Sequence, residues 1–312
     1  MSGQRILLTG ASGFVGRHLL ADLTAAGFRL RIATRRPVDI SPEVEQVVVG
    51  DLAEAIDWTA ALAGVDAVVH GAGIAHAGPG IPEERYRRVN TEATIALARA
   101  AQGRVGRFVF LSSIRAQSGP VAPTVLTEAD PPRPTDAYGR SKLAAEEALA
   151  ALDLPWVALR PVLVYGEGVA GNMGALIRLA RSPLPLPFGA LHGERSLVAV
   201  ETLAAAVRHV IALPAASRCA MIVADPAPVT IPMIITALRA GFGRPPGLLT
   251  VPKPVLAGLF QLAGRAESFT RLGSALAADA AALRRSGFAP LWPTEQGLRR
   301  LGARISGRRI PE

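Results

Sequence analysis

The chain has 312 residues, of which 50% are hydrophobic, and a mean hydropathy of +0.30, so it can bury a sizeable core and is not disordered by composition. The formal net charge is +9 at pH 7, yet the arginines are scattered among alanine-rich segments, without a long basic block. That distribution argues against nucleic acid as a partner and favours a generally basic surface suited to a polyanionic small substrate and cofactor.

The number of cysteines and the hydropathy pattern indicate the cellular compartment expected for the protein. The single cysteine, Cys219, excludes a disulfide framework and a Cys-based zinc cluster, and we expect no metal site. No secretory signal is visible before the first strand, and the longest apolar helical candidate, 255–263, is too short to span a bilayer. We therefore expect a cytoplasmic protein without a membrane span.

The N-terminal pattern is strand, glycine loop, helix. The apolar run Arg5–Thr9 is followed by Gly10-Ala11-Ser12-Gly13-Phe14-Val15-Gly16 and a helical pattern through Ala26. Glycines allow a tight turn and close backbone approach, and a helix N-terminus presents unpaired N–H groups to a pyrophosphate. The spacing Gly-x-x-Gly-x-x-Gly differs from the standard dinucleotide fingerprint, and the alternative is a turn with a packing role only.

The second predicted strand, 29–34, ends in Arg35-Arg36-Pro37. An NAD-selective site would usually place an acid here to bind the ribose 2′-hydroxyl, whereas arginine pairs with a 2′-phosphate. Arg35 therefore favours NADP(H), and NAD(H) stays the alternative if these arginines are solvated loop residues.

Two further predicted strands, 44–49 and 65–69, end in polar or small residues. Asp51, in Gly50-Asp51-Leu52, could accept from an adenine amino group or cap a helix that begins near Leu52. Gly71-Ala72-Gly73 would let a cofactor lie against the strand end. We interpret His70 as a buried, hydrogen-bonded structural histidine and assign His76 no role.

The next segments contain the residues suited to proton transfer. Pro82 opens a long amphipathic helix to about Ala101, in which Asn90 is a polar residue amid aliphatics. The fifth strand, 107–111, ends in Ser112-Ser113, a hydroxyl pair that could donate to a carbonyl or simply begin a loop. After a long proline-rich loop, Asp136 caps a helix on which Tyr138 and Lys142 share one face. A neighbouring ammonium is expected to lower the pKa of the Tyr138 phenol toward the working range.

Strands that alternate with helices in this way predict a doubly wound parallel sheet of the Rossmann type, with a smaller, mostly helical C-terminal substrate-binding region. The expected domains are a dinucleotide-binding domain (1–166 and 201–226) and a substrate-binding region (167–200 and 227–312). The remaining predicted elements are a sixth strand at 156–164, a helix opening at 171–174, a helix at 201–213, a strand at 220–224, and helices with proline breaks from 232 to 300.

The combination of motifs resembles the extended short-chain dehydrogenase/reductase family, the NAD-dependent epimerase/dehydratase group. The matching residues, in family order, are Thr9-Gly10-x-x-Gly13-x-x-Gly16, Gly50-Asp51-Leu52, Leu111-Ser112-Ser113, Tyr138-x-x-x-Lys142 and Arg160-Pro161-x-x-Val164-Tyr165-Gly166.

The resemblance implies roles for individual residues. Tyr138 would donate or accept the proton, Lys142 would tune it and hold the nicotinamide ribose, and Ser113, preferred over Ser112, would polarise a carbonyl. Asn172 and Arg195 would hold a substrate diphosphate, as helix N-termini and guanidiniums can; the alternatives are an N-cap and a surface arginine. The implied cofactor-binding set is Gly10, Gly13, Phe14, Val15, Gly16, Arg35, Asp51, Leu52, Gly71, Ala72, Gly73, Tyr138, Lys142 and Val162.

Within the group the chain is most similar to bacterial 4-ketoreductases of UDP-4-keto-6-deoxy-N-acetylhexosamines, which act in surface-polysaccharide synthesis. The expected activity is NADPH-dependent reduction of the C4 ketone of such a UDP-sugar. The alternatives are an NAD-dependent nucleotide-sugar 4-epimerase and an NADP-dependent reductase of a non-sugar carbonyl. A homodimer through the helices at 82–101 and 136–152 is an expectation from the family.

Overall fold

The computed structural model of the chain describes residues 3–75, 80–214, 218–262, 264, 269, 273 and 275–308. Seven parallel strands form the central sheet in the order β3-β2-β1-β4-β5-β6-β9, and β7 pairs in parallel with β8 in a separate small sheet. The strands are β1 (Arg5–Thr9), β2 (Arg29–Thr34), β3 (Glu45–Val48), β4 (Ala67–His70), β5 (Arg107–Leu111), β6 (Trp156–Pro161), β7 (Leu163–Tyr165), β8 (Leu197–Ala199) and β9 (Cys219–Val223).

Helices cover both faces of the large sheet. The helices are α1 (Phe14–Ala25), α2 (Thr59–Leu62), α3 (Glu83–Tyr86), a π-helical segment (Arg87–Glu92), α4 (Ala93–Ala101), a 3-10 turn (Ile114–Ala116), α5 (Ala137–Ala150), α6 (Gly171–Arg181), α7 (Val200–Ile211), α8 (Ile231–Gly241), α9 (Lys253–Leu262), α10 (Ala281–Arg285) and α11 (Thr294–Ile305). Helices α1 and α7 pack on one face, and α2, α4 and α5 pack on the other.

The strands bury side chains on both faces, as strands of a parallel sheet covered by helices must. In β1, Ile6 and Leu8 join the apolar cluster under α1 and α7, whereas Leu7 joins the cluster under α2, α4 and α5. Strand β5 alternates in the same way, with Val109 on the first face and Phe108 on the second. The predicted doubly wound parallel sheet is therefore confirmed.

Two sequence-based boundaries are wrong. The predicted strand at 156–164 divides at Val162, because the chain there leaves β6 and continues as β7, whose partner is β8. No helix begins near Leu52: the Asp51 carboxylate accepts from the Ala53 N–H at 2.9 Å and so caps a turn, and α2 begins only at Thr59.

The C-terminal half has an apolar cluster of its own. Helices α6, α8 and α11 contribute to it together with Tyr165 and Leu197 of the small sheet. The segment 278–288, in contrast, packs against the sheet cluster through Leu283 and Phe288. The proposed division into domains stays a prediction. No helix in the described ranges is both long enough and apolar enough to cross a membrane.

Candidate active site at the carboxyl ends of the strands

The β1–α1 loop is shaped by two close backbone approaches. Gly10 has φ of +78°, and a side chain there would place its Cβ 2.7 Å from the Ala72 amide nitrogen at the end of β4. A Cβ at Gly16 would lie 1.9 Å from the Gly10 carbonyl oxygen. Gly13, by contrast, is exposed and provides no side-chain cap for α1. The first-turn amides of α1 are therefore open to an external anion, which is the condition for binding a pyrophosphate.

The two serines after β5 have different partners. The Ser112 hydroxyl donates to the Glu146 carboxylate, and Ser112 is almost completely buried although it belongs to the cleft lining. The Ser113 hydroxyl accepts from the Arg115 N–H at 3.1 Å and hydrogen-bonds the Tyr138 phenol. The structure thus brings Ser113, not Ser112, into contact with Tyr138.

Tyr138 lies in the first turn of α5, where the Asp136 carboxylate accepts from the Gly139 N–H at 2.7 Å. Burial raises the pKa of the Tyr138 phenol above its ordinary value, and the Ser113 hydroxyl and the Arg115 guanidinium lower it by less. The expectation of a lowered pKa is therefore wrong, because the cost of burying a phenolate is the largest contribution.

Lys142 is turned toward the end of β5. Its Nζ donates to the Leu111 carbonyl oxygen at 2.8 Å and lies 4.5 Å from the centre of the Phe110 ring. Burial lowers the pKa of the Lys142 ammonium to about 8, although the Glu146 carboxylate opposes that shift. A Cβ at Gly73 would come within 3.6 Å of Nζ, so Gly73 leaves the space beside the ammonium open.

Asn90, on the π-helical segment, joins the β4 end to the helix that carries Tyr138. Its amide is fully buried, accepts from the Ile74 N–H at 2.8 Å and donates to the Ile74 carbonyl and the Ser141 hydroxyl, each at 3.0 Å. A side chain at Gly73 would clash with it, the Cβ lying 2.8 Å from Oδ1. Asn90 thereby fixes the backbone beside Gly73.

His70 is a structural residue, as the sequence indicated. Thr94 donates its hydroxyl proton to the Asn90 carbonyl, so it accepts from His70 Nε2 at 2.9 Å, and Nδ1 in turn accepts from Thr9 at 2.7 Å. Complete burial lowers the pKa of His70 to about 3, with a smaller contribution from Lys142. The ring is therefore neutral at working pH.

The end of β2 places a cluster of charge at the opposite side of the glycine loop. Arg35 Nη1 lies 4.0 Å from Asp51 Oδ2, and Arg85 of α3 lies 3.3 Å from the same oxygen. All three side chains are partly or largely exposed. The turn N–H of Ala53 and the two guanidiniums lower the pKa of Asp51, and its carboxylate therefore stays ionised.

A cleft of about 720 Å³ opens at the carboxyl ends of β1, β4, β5 and β6. Its walls include Ser113, Tyr138 and Lys142 on one side and Asn172 and Arg195 on another. Arg195 is mostly buried, and desolvation lowers the pKa of its guanidinium. The other predicted site residues on the wall are Phe14, Val15, Gly71, Gly73 and Val162. Gly10, Gly13, Gly16, Arg35, Asp51, Leu52 and Ala72 lie outside this wall.

Sequence reasoning missed the buried polar network behind the cleft. Glu146 and Arg160 form an ion pair of 2.5 Å, with both side chains almost completely buried. Arg160 also donates to Gln117 at 3.0 Å. The spacing of Glu146 four residues after Lys142 was the available signal. Arg85 was also missed, and His76 lies outside the described residues.

The described residues contain no group of three or more His, Cys, Asp or Glu side chains that could hold a metal ion. Within that part of the chain, the polar side chains of the cleft are hydroxyls, an amide, a phenol, an ammonium and guanidiniums. Such a set can donate protons and hydrogen bonds to a substrate oxygen and can balance the charge of phosphates.

Comparison with known proteins identifies the family of the chain. The NAD dependent epimerase/dehydratase family matches residues 6–223. The chain is 33% identical over 285 residues to the UDP-glucose 4-epimerase of Vibrio cholerae. The aligned region covers 88% of this chain and 87% of that protein.

Two solved structures have the same fold over nearly the whole chain. MoeE5 in complex with UDP-glucose and NAD is 26% identical with a TM-score of 0.72, covering 97% of this chain and 99% of that one. The UDP-N-acetylglucosamine 4-epimerase of Bacillus cereus, at 19% identity and a TM-score of 0.79, shows likeness of fold over 97% and 99% of the two chains. The chain therefore belongs to the NAD-dependent epimerase/dehydratase family and is an NAD(P)-dependent enzyme of the extended short-chain dehydrogenase/reductase type.

Proposed function

We propose that the protein catalyses the NADPH-dependent reduction of the C4 ketone of a UDP-linked 4-keto-6-deoxy-N-acetylhexosamine. The observation that carries a reductase is the guanidinium of Arg35 at the end of β2, where an NAD-selective site would present a carboxylate. A reductase exchanges its cofactor at every turnover, and a 2′-phosphate distinguishes NADPH from NADH.

The residues present suit such a cofactor. The uncapped amides at the start of α1 would take the pyrophosphate, with Phe14, Val15 and Gly16 in that first turn. Arg35 and Arg85 would pair with the 2′-phosphate, while Asp51 and Leu52 would contact the adenine. Gly71, Ala72 and Gly73 would back the ribose, Lys142 would bind the nicotinamide ribose, and Val162 would contact the nicotinamide.

Bound NADPH supplies the hydride that the carbonyl carbon of the substrate receives. Ser113 donates a hydrogen bond to the carbonyl oxygen and so stabilises the negative charge that develops there. Tyr138 gives its phenolic proton to that oxygen, which completes the alcohol, and solvent returns the proton. The phenol is suited to donation because its raised pKa keeps it protonated until the oxygen becomes basic.

The far wall of the cleft is suited to a diphosphate. Arg195 offers a guanidinium, and Asn172 stands at the second position of α6, whose N-terminus has no side-chain cap. Both can donate to phosphate oxygens. The UDP-sugars named for the relatives carry such a group, which supports this use of the two residues.

A second candidate is an NAD-dependent 4-epimerase. It is favoured by the 33% identity to the UDP-glucose 4-epimerase of Vibrio cholerae across 88% of the chain. An epimerase retains its nicotinamide and returns the same hydride, so its purified form contains bound cofactor and catalyses no net oxidation.

The deciding experiment follows NADPH absorbance with a UDP-4-keto-6-deoxy-N-acetylhexosamine generated in situ by a dehydratase. We expect one NADPH oxidised per ketone consumed, with NADH a much poorer donor. If NADPH is not oxidised, and protein carrying its own NAD interconverts UDP-hexoses, the reductase is wrong and the second candidate is right.

A substitution at the end of β2 tests the cofactor assignment separately. Arg35→Asp should move the ratio of NADPH to NADH affinity toward NADH, because a carboxylate repels the 2′-phosphate and accepts from the 2′-hydroxyl. The ratio is measured by fluorescence titration of both nucleotides. Arg29→Asp, an exposed change at the other end of β2, is the matched control and should leave the ratio as it is. An unchanged ratio in Arg35→Asp would remove the argument for NADPH.

A further inference from the structure

The segment that carries Ser113 is held from behind by successive turns of α5. Lys142 donates to the Leu111 carbonyl at 2.8 Å, and one turn later the Glu146 carboxylate accepts from the Ser112 hydroxyl. Two adjacent residues of the β5 end are therefore fixed by side chains at i and i+4 of one helix. The next residue, Ser113, is the one that contacts Tyr138.

The same segment is held again on its far side. Arg160 of β6 donates from Nε and Nη2 to the Glu146 carboxylate, and from Nη1 to the Gln117 side-chain oxygen at 3.0 Å. Gln117 closes the 3-10 turn after Ser113 and donates onward to the carbonyls of Thr127 and Asp130. One buried ion pair thus ties together both ends of the stretch 112–117 and the proline-rich loop beyond it.

Burying these two charges costs desolvation free energy, so a contribution to packing alone does not explain the pair. Glu146 and Arg160 are 4% and 6% exposed, and a buried ion pair stabilises a fold weakly compared with apolar residues of the same size. The pair's other hydrogen-bond partners, Ser112 and Gln117, lie on either side of Ser113 in the chain, and Lys142 of the cleft wall is one helical turn before Glu146.

We propose that the Glu146–Arg160 pair positions the site: it fixes Ser113 through Ser112 and Gln117, and its carboxylate keeps the buried Lys142 ammonium charged. Both residues act through others, since neither lines the cleft. The charged and titratable groups near Lys142 include the neutral His70 of β4 and Glu146 of α5, with Arg160 of β6 paired to Glu146, and Tyr138 lies one turn before Lys142 on α5. The positioning of Ser113 rests on the proposed function; the effect on Lys142 does not.

The sequence offers an unusually direct measurement. It contains only two lysines, Lys142 and Lys253. Protein labelled with ¹³C at the lysine ε-carbon gives two side-chain signals, which Lys253→Arg assigns. The titration of Lys142 can then be followed by NMR in the absence of substrate and cofactor, with Lys253 as an internal reference.

In Glu146→Gln, the midpoint of the Lys142 titration should fall by about one pH unit, because a negative charge one helical turn away is lost from a buried site. Because an unpartnered Arg160 could prevent folding, Glu146→Gln combined with Arg160→Gln is the second variant, and it should move the midpoint in the same direction. Leu149→Ala, a core change one turn further along α5, is the control that should destabilise the fold without moving the midpoint.

Ser112→Ala tests whether the ion pair positions Ser113, because it removes the hydrogen bond from Ser112 to Glu146 and leaves all charges in place. We expect an unchanged Lys142 midpoint and unchanged NADPH affinity, with kcat at least about tenfold lower, since small misplacements of a catalytic group are costly. A Lys142 midpoint that does not move in either Glu146 variant, or wild-type kcat in Ser112→Ala, would overturn the proposal. If the wild type reduces no UDP-4-keto sugar, the proposed function fails, and the NMR titration still decides the role of Glu146.

Discussion

Ser112 and Ser113 show that the surroundings of a residue decide which role its side chain can take. The two side chains are chemically identical, and alternation along β5 sends one hydroxyl to the buried Glu146 and the other to Tyr138. The sequence could place Tyr138 and Lys142 on one face, because helical spacing is local information. It could not give the sign of the Tyr138 pKa shift, because that depends on burial by residues far along the chain.

Loss of the Tyr138 hydroxyl should remove proton donation and little else. Tyr138→Phe is expected to lower kcat by roughly 10² to 10⁴-fold, the usual contribution of general acid–base catalysis, with NADPH affinity near that of the wild type. Steady-state kinetics and nucleotide titration measure the two quantities.

Tyr86→Phe is the matched control for this change. The Tyr86 ring centre lies 6.3 Å from that of Tyr138, and Tyr86 is buried but does not line the cleft. Its loss of a hydroxyl should have a much smaller effect on kcat. Equal turnover in Tyr138→Phe and the wild type would contradict the catalytic assignment.

At the scale of elements, helices α8 and α11 approach so closely that glycine is required at the crossing. A Cβ on Gly241 would lie 2.2 Å from the Arg299 carbonyl oxygen, and one on Gly302 would lie 2.4 Å from that of Leu238. Most strands and helices up to residue 223 were predictable because apolar runs and glycine loops are local patterns, whereas strand β8 and the π-helical segment were not. This crossing was not, because a glycine within a helix does not reveal what packs against it.

Gly302→Ala should therefore destabilise the C-terminal cluster. The added methyl group has no space beside the Leu238 carbonyl, so the helices must separate, at a cost of about 1–3 kcal/mol of unfolding free energy. Thermal or urea unfolding measures the loss. Gly258→Ala on α9, where no atom lies within 4 Å of the new Cβ, is the control and should be neutral or slightly stabilising. Equal stabilities of the two variants would contradict the close packing.

At the scale of the whole molecule, a buried polar junction joins the sheet to the C-terminal cluster. The Tyr165 hydroxyl donates to Asp225 at 2.8 Å, and Asp225 also accepts from the Ala199 N–H at 2.9 Å. Desolvation raises the pKa of Asp225 to about 6, although its hydrogen bonds oppose the shift. The motif Val164-Tyr165-Gly166 was recognisable in the sequence, but the partner of Tyr165 was not, because Asp225 is 60 positions further along the chain and no local pattern marks the pairing.

The Asp225 shift predicts a pH dependence of stability. Since the pKa of Asp225 is higher in the folded than in the unfolded chain, its contribution to the unfolding free energy is greatest below about pH 4 and is lost as pH rises through about 6. The change amounts to at most about 3 kcal/mol. The neutral His70, with its lowered pKa, acts in the opposite direction over the same range.

The quantity to measure is therefore the difference between wild type and Asp225→Asn in urea unfolding at several pH values. The stability of the wild type relative to the variant should fall between pH 4 and pH 6, and the effect of His70 cancels because both proteins contain it. Parallel curves for the two proteins would contradict a raised pKa of Asp225.

In the π-helical segment Arg87–Glu92, the number of residues matters as well as their identity, because it sets how α3 is rotated relative to α4. A π turn holds one residue more than an α turn, so α3 and α4 on either side of it are out of phase. The phase of α4 is set by Leu97 and Ala101, which are fully buried. Deleting one residue from the segment would restore a regular helix only by rotating α3 about 100° around the axis. That rotation would carry Arg85 away from Asp51 and Tyr86 away from Tyr138, so a single deletion would disturb both the charge cluster beside β2 and the packing of Tyr138.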